Sequence, residues 1–149
     1  MKIEDKRSKY IQEIYMVKAI LMDCDETVIH GFLKDNGNDV EINVDGMIHK
    51  INPYTICRNT GIMVDGQWLY EFDLVELEHP YDGKELGIIE FDTWDNSWKV
   101  RRSMNFTSKV ELRKFSKIKT IGNVNLSKID FQRMIEYSNE KDKNYKTQP

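Results

Sequence analysis

The chain has few of the residues and spacings that carry chemistry. Only two cysteines occur in 149 residues, Cys24 and Cys57. They are far apart and fit neither a zinc ribbon nor a redox pair, and they suit a reducing, cytoplasmic setting. Both are expected to be plain thiols packed as small hydrophobes. No apolar run approaches the roughly 20 residues that cross a bilayer. The opening stretch, Met1-Lys2-Ile3-Glu4-Asp5-Lys6-Arg7, is charged with mixed sign and is followed by no secretory signal core, so no membrane partner is expected. A glycine-rich phosphate loop is missing, and no Ser-His-Asp or Cys-His arrangement can be read from spacing. The three histidines, His30, His49 and His79, fall in separate candidate elements. The sequence therefore assigns no metal and no cofactor.

What is present is the composition of a soluble domain, 40% hydrophobic and 32% charged, at a length suited to one core. The net charge of −3 conceals an asymmetry. Residues 65–96 carry ten acids against one base, Lys84, whereas residues 99–119 carry eight bases against one acid, Glu111. A basic run of this kind is a candidate phosphate-backbone footprint. The simpler expectation is that acidic and basic strands lie side by side and pair across a sheet. A third possibility is a head-to-tail contact between copies, acidic face on basic face.

Periodicity points to β-structure. Val40, Ile42 and Val44 alternate with Glu41, Asn43 and Asp45, the period of a half-buried strand. Asp45-Gly46, Asp65-Gly66 and Asp82-Gly83 are hairpin signals between short apolar runs, and Asn36-Gly37-Asn38 is a further turn signal. Strands are expected at 17–22, 27–33, 73–78, 86–91, around Trp98 and Val100, and at 118–124. A helix is expected over residues 3–16 from the spacing of Tyr10, Ile11, Ile14 and Tyr15. Another begins at Ser127, with Asp130 in the capping-box position and Ile129, Phe131, Met134 and Ile135 on one side. Residues 139–149 are polar and read as a flexible tail. Trp94 and Trp98 bracket a turn. Packed, they close a small core; exposed, they stack on bases.

Two stretches resemble known families. Asp23-Cys24-Asp25-Glu26-Thr27, after the apolar run 17–22, resembles the first motif of haloacid dehalogenase-like phosphatases. That resemblance implies Asp23 as nucleophile, Asp25 as acid and base, Thr27 as companion, and magnesium offsetting the charge. It covers about a dozen residues. It also demands a parallel sheet with crossover helices, and no crossover helix is evident between Val28 and Val124. A longer resemblance runs through residues 54–126. Asn59-Thr60-Gly61-Ile62, then Asp65-Gly66-Gln67-Trp68-Leu69-Tyr70-Glu71-Phe72-Asp73-Leu74-Val75, is similar to the central signature of the YopX family, with Phe72 standing where that signature has Gly. Gly87-Ile88-Ile89-Glu90-Phe91-Asp92 and Ile121-Gly122-Asn123-Val124 resemble its later strands. This likeness implies a phage or prophage protein with a small SH3-like barrel or roll, and it brings no catalytic residues.

The reading that follows is a mainly β domain over residues 1–138. It comprises an SH3-like barrel or roll of antiparallel strands, an additional N-terminal β region and a short C-terminal helix. The expected role is a non-enzymatic, cytoplasmic module in a bacterial host that binds itself or another phage or host protein. The alternative is a nucleic-acid platform built from Trp94, Trp98, Lys99, Arg101, Arg102, Arg113 and Lys114; the phosphatase is a more distant one.

Overall fold

A computed structural model describes residues 15–23, 27–35 and 40–146, and all but residues 35 and 144–146 of these with their side chains. The expected helix over 3–16 and the turn at 36–38 lie almost wholly outside the described residues; of that helix, Tyr15 is in a turn and Met16 opens a strand.

The strands are β1 (Met16–Ile20), β2 (Val28–Asp35), β3 (Val40–Val44), β4 (Met47–Lys50), β5 (Cys57–Val64), β6 (Gln67–Tyr70), β7 (Asp73–His79), β8 (Gly83–Asp92), β9 (Ser97–Arg101), β10 (Lys109–Glu111) and β11 (Lys117–Asn123), followed by helix α1 (Lys128–Lys146). They form two sheets, ordered β4-β3-β2-β1-β5-β6 and β10-β9-β8-β7-β11. Every strand pairing among the described residues is antiparallel. The mainly β expectation holds. Among the described residues neither sheet closes into a barrel.

Turn chemistry sets the hairpins. Asp45-Gly46 and Asp65-Gly66 both take positive φ, 50° and 88°, 51° and 78°, the left-handed pair that matches strand twist in a two-residue turn. Asp82-Gly83 is built differently. His79 pairs with Gly83 across a three-residue loop, and only Gly83 is left-handed, at φ 85°, as in a turn ending in a glycine bulge.

The first four strands curl. Leu21 bridges Ile51, Met22 N–H donates to the Lys50 carbonyl at 3.1 Å, and Asn52 N–H donates to the Ile20 carbonyl at 2.9 Å. The end of β4 thus returns to the end of β1 as an incompletely closed roll. Val17, Ala19, Ile42 and Ile51 form its interior. Gly31 permits the tight coiling, because a Cβ there would land on the Asn43 carbonyl oxygen and sit 2.7 Å from Ile42 Cγ2.

The second sheet is covered on both faces at its centre. Val75, Leu77, Ile89 and Val100 pack with Leu69 of β6 on one side. Leu74 and Ile88 pack with Met134 of α1 on the other. The two sheets join at a corner, Glu71-Phe72. There Phe72 N–H donates to the Ile89 carbonyl at 2.7 Å and Phe72 itself lies at φ 68°. A left-handed non-glycine residue costs about 1–2 kcal/mol; its ring offsets this by packing beside Leu74, Ile88 and Met134.

The C-terminal region corrects an expectation. The chain does not fray from Asn139, because α1 continues to Lys146. The seam that holds it is polar, which is why apolar periodicity missed it. Ser138 and Asp142 are buried. Ser138 Oγ accepts from Met104 N–H at 2.9 Å, and Asp142 accepts from Ser103 Oγ at 2.5 Å and from Asn105 Nδ2 at 2.8 Å. At the other end, Ser127 Oγ accepts from Asp130 N–H at 3.2 Å. Asp130 does not return to Ser127 as a capping box would; it accepts from Asn123 N–H at 3.0 Å. Gly122 makes room for it, since a Cβ there would collide with the Asp130 carboxylate.

Candidate functional site

The acidic and basic halves of the sequence meet as neighbouring strands. In register, Glu90 of β8 pairs with Lys99 of β9, which pairs with Glu111 of β10, and Arg101 pairs with Lys109. Lys99 Nζ lies 2.8 Å from Asp92 and 2.7 Å from Asp95. The Asp92 and then the Asp95 hydrogen bond hold its ammonium above the ordinary lysine value and both carboxyls below theirs. Arg101 contacts Glu90 at 3.4 Å and donates to the Met104 and Phe106 carbonyls. Arg102 grips Glu85 with two bonds, 2.6 and 2.9 Å. On the other flank, Glu76 and Glu78 of β7 are in register with Lys119 and Lys117 of β11.

Of the residues expected to contact nucleic acid, Lys99, Arg101 and Arg102 are therefore tied to carboxylates. Arg113 pairs with Glu111, while Lys114 is exposed. The two tryptophans separate. Trp98 packs against the core with Phe91 at 5.1 Å, and the Arg58 guanidinium lies over its ring at 5.1 Å. Trp94 is 95% exposed at the tip of the β8–β9 hairpin. The seven residues do not form one surface that is both aromatic and basic.

The Asp23–Thr27 stretch lies between antiparallel strands β1 and β2. Asp23 and Thr27 are exposed, and Asp25 lies outside the described residues. The parallel sheet that the phosphatase reading requires does not occur among the described residues. Nor does any group of three His, Cys, Asp or Glu side chains placed to hold a metal ion.

The densest polar cluster is one that the motifs did not flag. It sits where the sheets join and centres on Asn123. Asn123 Nδ2 donates to the Asp73 carboxylate at 3.0 Å and the Glu71 carbonyl at 3.1 Å, and its Oδ1 accepts from the N–H groups of Asn125 and Leu126. Asp73, 3% exposed, also accepts from Tyr70 N–H at 2.8 Å. Burial pushes its carboxyl up, against the bonds from Tyr70 and Asn123 and the charge of Lys18. The buried Cys57 thiol contacts Asn123 and Asn125 at 3.7 Å, and burial pushes it up to about 12. Lys18 Nζ sits 4.2 Å over the Tyr70 ring, and the Tyr70 hydroxyl bonds His30 Nε2. A thiol held protonated has no nucleophilic use near neutral pH. This cluster locks strands together. The Gly122-Asn123 pair was the available signal for it.

A second feature is apolar and outward-facing. In register across the roll, Met16 pairs with Phe32, Phe32 with Asn43, and Asn43 with Ile48. These four share the face opposite the roll's interior. Phe32 is 42% exposed and Ile48 47%, with Val28 on the same face at 45%. Lys34 and Lys50 flank Glu41 in the next row. Beside α1, an open depression of about 570 Å³ is lined by Asn105, Phe106, Asn139, Asp142 and Lys143.

No protein-family model matches the chain, and the comparisons with curated proteins and with solved structures returned no match. No helix among the described residues is long and apolar enough to cross a membrane.

Proposed function

We propose that this chain is a non-enzymatic, self-assembling interaction module, a YopX-like protein of phage or prophage origin acting in the cytoplasm of a bacterial host. The observation that carries the interaction reading is the outer face of the N-terminal roll. There Val28, Phe32 and Ile48 are each more than two-fifths exposed on one face, and apolar rows of this kind mark contact surfaces. The charge asymmetry of the sequence is absorbed largely within the C-terminal sheet, so association through the roll is expected to be apolar and insensitive to salt. The YopX-like reading is supported by the residues quoted above and by the backbone at Phe72. That position takes a left-handed conformation, φ 68°, of the kind glycine favours, where the signature has Gly. Size-exclusion chromatography with light scattering, at low and high salt, tests the assembly. A species larger than the monomer at both is expected; a monomer at both overturns it.

A further inference from the structure

The Asn123 carboxamide is held as an activated acyl group is held. Its Oδ1 accepts from two backbone N–H groups, Asn125 at 2.9 Å and Leu126 at 3.1 Å, distances that suit an oxyanion as well as a carbonyl. The Cys57 thiol is a third contact of that oxygen, at 3.7 Å. On the other side, Nδ2 donates to Asp73 Oδ1 at 3.0 Å and to the Glu71 carbonyl at 3.1 Å. Donors on one side and acceptors on the other fix which way round the amide lies. A carboxyl group thus touches the nitrogen that an acyl transfer would expel.

An amine stands beside it. Lys18 of β1 is directly opposite Cys57 of β5, so their Cβ atoms lie about 4.5–5.5 Å apart. The Lys18 side chain therefore rises on the same face as the thiol that touches Asn123. Its Nζ rests 4.2 Å over the Tyr70 ring, and its charge acts on the Asp73 carboxyl. Tyr70 in turn donates its N–H to Asp73 at 2.8 Å. Rotation of the flexible lysine stem carries Nζ from the ring toward Asn123 Cγ. Asp73, Asn123 and Cys57 are all buried, and keeping water out favours the amine as the attacking group.

We propose that Lys18 and Asn123 join in an isopeptide bond, a self-formed cross-link between β1 of the roll and β11 of the C-terminal sheet. The Lys18 ammonium first gives a proton to the Asp73 carboxylate. Burial pushes the Asp73 carboxyl up, so it takes that proton more readily than an exposed carboxylate. The free Nζ then attacks Asn123 Cγ, and the charge that develops on Oδ1 falls on the Asn125 and Leu126 N–H groups. Asp73 returns its proton to Nδ2 as a general acid, and the Cγ–Nδ2 bond breaks. The proton shed by Nζ as the new amide forms goes to the ammonia, which departs as ammonium. Atoms and charge balance without an oxidant, a reductant or a second reactant, and Asp73 ends ionised as it began. The bond closes once per chain, so it is a self-modification and not turnover, and it is independent of self-assembly.

The test is the intact mass of the full chain, purified and then incubated at neutral pH. It should fall below the calculated mass by one ammonia, and a protease digest should contain one branched peptide joining the Lys18 and Asn123 segments. Lys18→Arg keeps a cation over the Tyr70 ring but cannot form the amide; it should retain its full calculated mass, with an unchanged circular dichroism spectrum. Asp73→Asn removes the acid and should slow the loss by about 10²-fold or more. An unchanged mass in the natural chain overturns the proposal. So does ammonia loss that persists in Lys18→Arg, which marks Asn123 closing on its own backbone, or conversion of Asn123 to the acid, which marks water as the nucleophile. A rate that Asp73→Asn leaves unchanged overturns the mechanism.

Discussion

On the C-terminal sheet, the outward row across β8, β9 and β10 reads Glu90, Lys99, Glu111. On the N-terminal roll, the outward row across β1 to β4 reads Met16, Phe32, Asn43, Ile48. In the first region the charges of this row alternate in sign from strand to strand. In the second, Val28, Phe32 and Ile48 stay more than two-fifths exposed on one face. The difference teaches that charge segregation along a sequence need not mean a charged binding site. Two oppositely charged segments that become adjacent strands neutralise one another, and the better candidate for contact lies where the sequence looked unremarkable.

The comparison can be broken most severely at the two cores. Leu77→Ala in the C-terminal sheet and Ile42→Ala in the roll each remove a fully buried side chain and should cost about 2–5 kcal/mol. Chemical denaturation followed by tryptophan fluorescence checks them. All three tryptophans, Trp68, Trp94 and Trp98, lie beyond the roll's first four strands. If Ile42→Ala lowers the midpoint they report, the two regions unfold together; if not, the roll is a separate cooperative unit. Asn123→Ala severs the seam between the sheets and takes one donor from the buried Asp73 carboxylate, at about 1–3 kcal/mol; thermal melts should show the loss.

A pH series sharpens the contrast further, because two buried carboxyls oppose each other in sign. Burial pushes Glu85 up, but the Arg102 hydrogen bond, the Lys141 and Arg102 charges and the His79 contact together hold it below its ordinary value. Its contribution is present above the unfolded carboxylate pKa and is lost as pH falls through the lower, folded one. Asp73 is held above its ordinary value by burial. The folded state therefore retains that proton longer than the unfolded state, and stability falls as pH rises from the ordinary value through the raised one. Denaturant midpoints should accordingly show Glu85→Gln flattening the acid-side loss, while Asp73→Asn removes the decline on the rising side. The smallest effect is expected at the surface pair Lys84–Glu76, 3.4 Å apart, where Lys84→Ala should change stability by about 1 kcal/mol or less.

Much of the fold was legible because it rests on local rules. The Asp-Gly pairs marked three hairpins, and the alternation at Val40–Val44 marked β3. The acidic and basic segments foretold cross-strand pairing. Other features rest on tertiary contacts that leave no periodic trace. The seam of α1 is made by Ser138 and Asp142, polar residues that sequence assigns to solvent. The return of β4 to β1 depends on a bridge between Leu21 and Ile51, thirty residues apart. Trp94 and Trp98 look equivalent around their turn, yet only Trp98 sits on a strand facing the core. The polar cluster was hidden for a related reason: Asn123, Asp73 and Cys57 are distant in sequence and meet only because the two sheets join there.

Cys57 turns that junction into something that can be timed. Its sulfur is fully buried and its thiol is held protonated, with a pKa of about 12, so an alkylating reagent has neither access nor a thiolate to attack. Modification must wait until β5 parts from Asn123. In a chain lacking Cys24, the labelling rate is thus a clock for that event alone. Its dependence on denaturant would distinguish a seam that breathes locally from one that opens only when the whole chain unfolds.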